Sequence, residues 1–366
     1  MKIRLICMVL LIAAVLCGCA LPDGSYVSVT PHHEQLSGVQ SDSLRASKYS
    51  ELRNLLAELV GTGAETIVIQ VPEYDKATLE NGMVNAIHYI SDILPVGAYA
   101  IDKADYEIGT SGGQPAVLVN ISYLHGRSEL RLIREAKNMD ETVAIIQKAL
   151  ADCDDKVVIS VQNYEDLDIV QMVADYASEN PNVVMEMPSV AVGSYPDWGI
   201  RRVLELKFTY QTSRESLRSM QEQVGRIFDS AALYVNQNAT DSQKFAQLYT
   251  FLTERSPEYK IETSITPSYS LLNHGVGDGK AFATVYAAMC RNAGLDCRVV
   301  SGTRSGEAWY WNLICDSGVY YHVDLQESRE AGNLLRHTDK EMSGYVWDYS
   351  AYPASGIADP VTEVTE

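Results

Sequence analysis

The spacing of apolar residues predicts two similar α/β units in the first half of the chain. ELRNLLAELVGTGAETIVIQVPEY, from Glu51, and ETVAIIQKALADCDDKVVISVQNY, from Glu141, each combine a helix-like spacing with a following strand-like run, and they align without gaps at an offset of 90 residues. Further on, AVLVNISYLHGRSELR from Ala116 matches VLELKFTYQTSRESLR from Val203. Each unit is interpreted as α-β-α-β-β, which predicts a two-unit α/β repeat region over 48–212. Chance similarity between two amphipathic patterns is the alternative.

After residue 212 the pattern changes to helices followed by a group of strands. SLRSMQEQVGRIFDSAALYV and SQKFAQLYTFLTER have helical spacing, the second with Asp241 or Ser242 as N-cap. A buried helix is predicted from Lys280 to Ala293, ended by Gly294 in a left-handed cap. CRVVSG, AWYWNLIC and VYYHVDL follow as strands. The fold class is therefore α+β, with a C-terminal domain over 213–350 and an acidic tail over 351–366.

The first residues predict export and not folded structure. Lys2 and Arg4 precede an apolar run, Ile6 to Leu16, that is too short to cross a bilayer as a permanent helix. The following Leu-Cys-Gly-Cys resembles the lipobox of bacterial lipoproteins, which implies a signal peptide over 1–18, lipidation of Cys19 and a location on the extracytoplasmic face of the cell membrane. Residues 19–47 are then a flexible tether. A simple secretory signal and an uncleaved anchor are the alternatives.

Charge and cysteine content narrow the possible partners. The net charge of −19 becomes −21 once residues 1–18, with two basic residues and no acid, are removed. A folded protein with this net negative charge is expected to repel nucleic acid and anionic lipid headgroups, so nucleic acid is excluded as a partner. Four cysteines remain after the predicted signal peptide and Cys19, and none of them has CxxC spacing: Cys153, Cys290, Cys297 and Cys315. They are interpreted as buried small hydrophobic residues, with a disulfide as the alternative. The histidines are scattered, so neither a metal nor another cofactor is expected.

The start of the predicted helix has the layout of a nucleophile site. Glycines at 275, 277 and 279 allow a sharp turn into a helix N-terminus, whose partial positive charge and free N–H groups would activate a cysteine. In the following hairpin, pairing of Cys315 with Gly318 would place position 309 directly opposite position 324. A histidine and a carboxylate at such positions would complete a catalytic triad.

Residues 213–350 resemble the transglutaminase-like (papain-type) domain of bacterial surface proteins. The helix ending in AGLDC, the strand RVVSG, the aromatic-Trp-Asn run and the strand ending in YYHVDL carry the resemblance. The family pattern is Gly-x-Cys-x-Gly-Tyr-Ala, then His-Ala-Trp-Asn, then a strand ending in Asp. Its cysteine falls on Gly279, its histidine on Trp309 and its aspartate on Asp324. Two of the three catalytic positions are therefore lost, and the resemblance implies an inactive domain.

A degenerate cleft of this kind suggests binding or scaffolding, with peptide or cell-wall material as the expected ligand. A tryptophan wall with an acidic rim is suited to such a ligand. The candidate ligand-binding residues are Trp309, Trp311, Asn312, Asp278 and Glu307. The alternative is that Trp309 fills the cleft and the domain is a scaffold.

Two rival interpretations remain at this stage. The first is an active peptidase or transamidase with a rearranged site around Asp324, in which His322, about 7 Å away on the same strand face, is the one nearby histidine. Asp278 and Lys280 would be acid/base residues in such an enzyme, although rim charges are the simpler explanation. The second rival is a purely structural part of a larger complex.

Overall fold

The computed structural model describes residues 44–256, 258–259 and 264–356. The described residues divide into two compact units, of which the first comprises 44–133 and 195–203 and the second 134–194 and 204–356. The predicted signal peptide, the predicted lipidation site Cys19 and most of the predicted tether lie outside the described residues, as does the tail beyond residue 356. No helix in the described ranges is long and apolar enough to cross a membrane.

The first unit is a four-stranded sheet with helices packed on it. Its strands are β1 (Leu44–Arg45), β2 (Thr66–Gln70), β3 (Ile101–Ser111) and β4 (Gln114–Tyr123), in the order β1-β2-β4-β3. Its helices are α1 (Tyr49–Thr62), α2 (Lys76–His88), α3 (Pro95–Ala100) and α4 (Arg127–Leu130). Helix α1 buries Leu52, Leu56 and Val60, one side chain per turn, against this sheet's core.

A second sheet repeats the first along the chain. Its strands are β5 (Arg134–Ala136), β6 (Lys156–Val161), β7 (Ser189–Tyr195) and β8 (Arg202–Thr209), in the order β5-β6-β8-β7. Helices α5 (Met139–Ala151) and α6 (Ile169–Glu179) complete the copy. Both sheets have the same strand order, and Leu56 and Val60 correspond at the offset of 90 to the buried Ile146 and Leu150. Each copy begins with a short strand, β1 or β5, that the apolar pattern did not indicate.

The C-terminal domain combines helices with a four-stranded antiparallel sheet, which confirms the α+β class. The helices are α7 (Arg214–Tyr234), α8 (Asp241–Arg255), α9 (Pro267–His274), α10 (Gly279–Asn292) and α11 (Leu325–Ala331). The strands are the short parallel pair β9 (Glu258–Tyr259) and β10 (Val276–Gly277), then β11 (Cys297–Arg304), β12 (Glu307–Asp316), β13 (Val319–Val323) and β14 (Tyr345–Trp347), in the order β13-β12-β11-β14. Every residue of α10 from Ala281 to Cys290 is buried, and Gly294 lies just beyond its end in the left-handed conformation.

Helix α8 begins one residue earlier than the sequence suggested. Thr240 is the N-cap, and its side chain accepts from the backbone N–H of Gln243, whose side chain in turn accepts from the Thr240 N–H. The prediction of Asp241 or Ser242 was therefore wrong. The reciprocal pair satisfies two helix-end donors, whereas a cap at Asp241 or Ser242 would leave this capping box unformed.

The predicted register of the β12–β13 hairpin is also wrong, by two residues. Asp316 pairs with Val319, because Ser317 and Gly318 both adopt positive φ angles and form a two-residue turn. Strand β13 consequently ends at Val323, and Asp324 is the N-cap of α11 instead of a strand residue. A shift of two keeps the same faces of the strands together, so the expected proximity of Asp324 to position 309 survives the error.

Strand β14 reaches its place beside β11 only because residue 302 is glycine. Gly302 pairs with Trp347, and a Cβ at residue 302 would lie 2.2 Å from the Val346 carbonyl oxygen and 2.8 Å from the Trp311 ring. Separations this short cannot be relieved by a rotamer change, since one of the two contacts is with backbone.

We expect Gly302→Ala to lower the free energy of unfolding by about 3 kcal/mol or more, because it overpacks the β11–β14 contact. Ser301→Ala, on the neighbouring exposed residue, is the matched control and should change stability by less than about 0.5 kcal/mol. Urea unfolding curves of both variants measure the difference. Equal stability of the two variants would show that β14 does not pack as described.

Candidate functional site

Asp324 is a buried carboxylate at the N-terminus of α11. It is 2% exposed, and its Oδ1 accepts hydrogen bonds from the backbone N–H groups of Gln326, at 2.9 Å, and Glu327, at 3.2 Å. A carboxylate at this position satisfies two helix-end donors and interacts favourably with the helix dipole. Asp324 is thus held by backbone geometry before any other side chain contacts it.

Three side chains from three strands meet the second oxygen of Asp324. The indole Nε1–H of Trp309 and the hydroxyl of Tyr345 each donate to Oδ2 at 2.7 Å, and a guanidinium nitrogen of Arg304 lies 3.5 Å away. Burial, together with the carboxylate, raises the pKa of Tyr345 well above its ordinary value, so the phenol stays protonated and donates. A buried charge needs this many partners, and Asp324 has them.

Trp309 occupies the place of the expected histidine and makes the contact with Asp324 that a histidine would make. The Arg304 guanidinium lies 5.3 Å from the centre of its ring, in cation–π contact. An indole N–H is a donor only, and it has no lone pair with which to accept a proton. The Trp309 side chain therefore donates to Asp324 and cannot act as a general base.

Gly279 is the first residue of α10, where the nucleophile was expected. Asp278 is the N-cap of the helix, and its Oδ1 accepts from the Ala281 N–H at 2.8 Å. The helix start is therefore formed and capped as a nucleophile site would require, but position 279 has no side chain.

The cavity beside Gly279 and Trp309 is small. Its volume is about 20 Å³, which is room for about one water molecule. Its walls include Gly279, Phe282, Trp309, Tyr310, Asp324 and Gln326. This volume favours the alternative in which Trp309 fills the cleft over a groove open to a peptide or sugar.

Of the other candidate ligand-binding residues, two are buried in the core, one is exposed and one caps a helix. Trp311 and Asn312 are buried in the core, where the Asn312 side chain donates to the Ala283 carbonyl, so neither can line a groove, contrary to expectation. The alternation of side chains along a strand predicts that some would face a groove, but both faces of the central strand β12 are covered by other parts of the domain. Glu307 is exposed at the beginning of β12, and Asp278 is the cap described above.

A larger cavity of about 360 Å³ lies next to the start of α10. The walls combine apolar side chains with polar ones, among them Glu186, Met187, Ser268, Asp278, Lys280 and Thr284. Glu186 is buried, and its carboxylate accepts from the backbone N–H groups of Gln211 and Thr212. A volume of this size is within the range of small-ligand sites.

His322 belongs to a separate buried network that sequence reasoning missed. Its Nδ1 accepts from the Trp311 indole N–H at 2.8 Å, so its proton lies on Nε2 and is donated to Asp339 at 2.8 Å. Ser355 completes the network through Asp339. The ring is therefore committed to Asp339 and is not available to Asp324. No sequence signal indicates this, since Asp339 begins a short 3₁₀ helix 17 residues away.

Burial makes two of the cysteines poor nucleophiles. Cys290 is fully buried, and burial raises its pKa well above its ordinary value. Burial likewise raises the pKa of Cys153. A thiol whose pKa is raised in this way stays protonated near neutral pH. Cys297 is also buried. Within the part of the chain that the structure describes, no group of three or more His, Cys, Asp or Glu side chains is arranged to hold a metal ion.

Comparison with known families agrees with this geometry. Residues 229–349 match the model of the transglutaminase-like superfamily. Residues 229–349 are thus similar to a transglutaminase-like domain. The match lies within the predicted range of 213–350 and covers about a third of the chain. A comparison with curated proteins finds no match.

Solved structures similar to this chain include one titled as a TGase, which is 10% identical with a TM-score of 0.27 over 65% of this chain and 68% of that one. A candidate cysteine protease from Cytophaga hutchinsonii is 13% identical with a TM-score of 0.26, over 41% and 65%. A candidate protease from Parabacteroides distasonis is 12% identical with a TM-score of 0.24, over 46% and 39%. The chain therefore spans less than two thirds of the latter two. Likenesses at these scores carry no information about activity.

We expect Trp309→Phe to lower the free energy of unfolding by about 1.5–3 kcal/mol, because it removes a hydrogen bond to a buried charge while keeping an aromatic ring. Tyr310→Phe, on the adjacent half-buried residue, is the control for changing an aromatic side chain at this end of β12. Chemical unfolding should show a clear loss for the first variant only. Similar losses in both variants would contradict the importance of the indole N–H.

We also expect stability to fall as the pH falls below about 6.5. Burial lowers the pKa of His322 despite the neighbouring Asp339, so the unfolded chain binds a proton more readily than the folded one. This contribution to stability is fully present above pH 6.5, the ordinary pKa of histidine, and disappears as the pH falls through the lower pKa of the folded state. The free energy of unfolding, measured between pH 7.5 and pH 5, should therefore fall more steeply with decreasing pH for the native protein than for His322→Gln. Parallel pH profiles would contradict the assignment of a buried neutral histidine.

Proposed function

We propose that this protein is a cell-surface lipoprotein whose transglutaminase-like domain is catalytically inactive and acts in binding or scaffolding at the cell envelope. One observation carries the proposal. Trp309 donates to Asp324 in the position of a catalytic histidine, while the expected nucleophile position is Gly279.

The chemistry of acyl transfer explains why these two changes abolish catalysis. A thiol nucleophile must lose its proton to a base and then attack a carbonyl whose oxyanion is stabilised by helix N–H groups. Glycine supplies no thiol, and the indole at position 309 accepts no proton. The helix end alone stabilises charge but forms no bond.

Asp324 does not rescue activity by itself. Its side chain is buried, and all its nearby donors already point to it from α11, β11, β12 and β14. A general base must reach the proton that it removes, and this carboxylate faces protein groups instead. This arrangement argues against the rearranged peptidase or transamidase.

A binding role has support from the cavity of about 360 Å³ beside Asp278 and Lys280. The cavity offers apolar surface together with a carboxylate and an ammonium group, which suits a short peptide or another envelope fragment with both charges. Lipidation of Cys19, if the lipobox is processed, would hold the protein at the membrane through more than one acyl chain.

The test is an amidase and transamidation assay on residues 20–366. The native chain is compared with the double variant Gly279→Cys/Trp309→His, which restores a triad with Asp324, and with Gly279→Cys alone. We expect the native chain to be silent. Adding Trp309→His to Gly279→Cys should lower the pKa of the introduced thiol, measured as the pH dependence of its alkylation rate.

Turnover by the native chain would overturn the inactive assignment. If the pH dependence of alkylation of the introduced thiol is the same with tryptophan and with histidine at position 309, then positions 279 and 309 do not face one another as nucleophile and base. The alkylation profile needs no substrate, so it decides the alignment even where the assay substrate is unsuitable.

A further inference from the structure

Four large apolar side chains in two segments of the first unit are exposed to solvent. They are Leu124, Leu132, Trp198 and Ile200, each more than half exposed. Single exposed apolar residues are ordinary on protein surfaces, but several together mark an interaction site. We call these four residues the Trp198 surface.

Aromatic contacts bring the starts of the two segments together. The buried ring of Tyr99 stacks on His125 with 4.1 Å between centroids and meets the edge of Tyr195 at 5.5 Å. His125 directly follows Leu124, and Tyr195 is the last residue of β7, just before the loop that carries Trp198. The two segments therefore start from one anchored point on the unit.

The charge around these residues is opposite in sign to that of the chain. The arginines at 127, 131 and 201 are exposed, and Arg202 uses its Nε–H to hold the Gly199 carbonyl in the same loop. The acids of the two segments are Glu129 and Asp197, so four basic residues face two acidic ones in a chain with a net charge of −19. The two segments thus combine a net positive charge with exposed apolar side chains.

This composition fits the interface of a lipid bilayer. Tryptophan and aliphatic side chains partition into the headgroup and upper acyl region, while arginines extend to lipid phosphates. The first unit also begins at Leu44, 25 residues after Cys19, so a fully extended connection would reach at most about 90 Å from the membrane. Tethering over such a distance makes a weak second contact effective.

We propose that the Trp198 surface docks on the membrane, with Trp198 and Ile200 inserted among lipid headgroups and the arginines on lipid phosphates. The location rests on the lipid anchor of the proposed function, but the contact itself does not require the anchor. The local positive charge offsets the repulsion that the acidic chain as a whole would meet at an anionic bilayer.

Tryptophan fluorescence gives a direct test. Of the four tryptophans in the chain, Trp198 is the exposed one, whereas Trp309 is half-buried and Trp311 and Trp347 are buried. Unlipidated residues 20–366 are titrated with vesicles of phosphatidylcholine and phosphatidylglycerol. We expect a blue shift of the emission and quenching by brominated lipid.

Matched variants locate the contact. Trp198→Ser/Ile200→Ser should weaken vesicle binding, measured by sedimentation, by about tenfold or more. Leu233→Ser changes an equally apolar side chain, 87% exposed on α7, and should bind as the native chain does. Equal binding by both variants would overturn the proposal.

Two other results would also overturn it. One is an unchanged emission spectrum at millimolar lipid. The other is concentration-dependent self-association that the double variant abolishes, which would assign the surface to a second copy of the chain. Lipidation is measured separately, by mass spectrometry of the full chain from cells with Cys19→Ala as control. If the chain is lipidated in cells but its unlipidated form does not bind vesicles, the lipid anchor is supported and the docking surface is contradicted. If the unlipidated form binds vesicles but the chain from cells carries no lipid, the docking surface is supported and the lipid anchor is contradicted.

Discussion

The hydrogen bond from the Trp309 indole to Asp324 is the interaction around which the transglutaminase-like domain is organised. Asp324 is buried, caps α11, and receives donors from β11, β12 and β14. A carboxylate in such a place becomes costly as soon as one partner is lost. These interactions give Asp324 a structural role that does not depend on catalysis. Its charge holds one helix and three strands together.

The same constraint explains why residue 309 is a hydrogen-bond donor. Asp324 is a buried carboxylate, and it needs an N–H donor of sufficient reach from this position of β12. An indole satisfies that requirement and fills the adjacent space, leaving about 20 Å³. No comparable constraint acts on position 279, because the helix start is already capped by Asp278 and its N–H groups need no thiol. The packing of the domain thus requires Asp324 and a donor at residue 309, and places no such requirement on residue 279.

Much of the fold followed from local patterns. The buried helix ending at Gly294 and the repeated α/β units were visible because their apolar spacing is regular. The proximity of Trp309 to Asp324 was also predictable, although through a wrong register, since strand faces recur every two residues. The positive φ angle of Ser317, which moved the turn, has no clear sequence signal.

Long-range partners were beyond sequence reasoning. Tyr345 and Arg304 meet Asp324 from separate strands, and Asp339 joins His322 from a short 3₁₀ helix. Nothing local distinguishes these residues from exposed ones. Trp311 and Asn312 were misassigned for a related reason. A strand covered on both faces shows no alternation that would separate core positions from rim positions.

The most direct test of this account is the hydrogen exchange of the indole protons in protein carrying ¹⁵N-labelled tryptophan. Four tryptophans give four indole signals, which single substitutions to phenylalanine assign. If Trp309 donates to buried Asp324, its indole proton is shifted downfield and exchanges far more slowly than that of exposed Trp198. Exchange of the Trp309 proton as fast as that of Trp198 would show that the bond is absent and that the cleft is open.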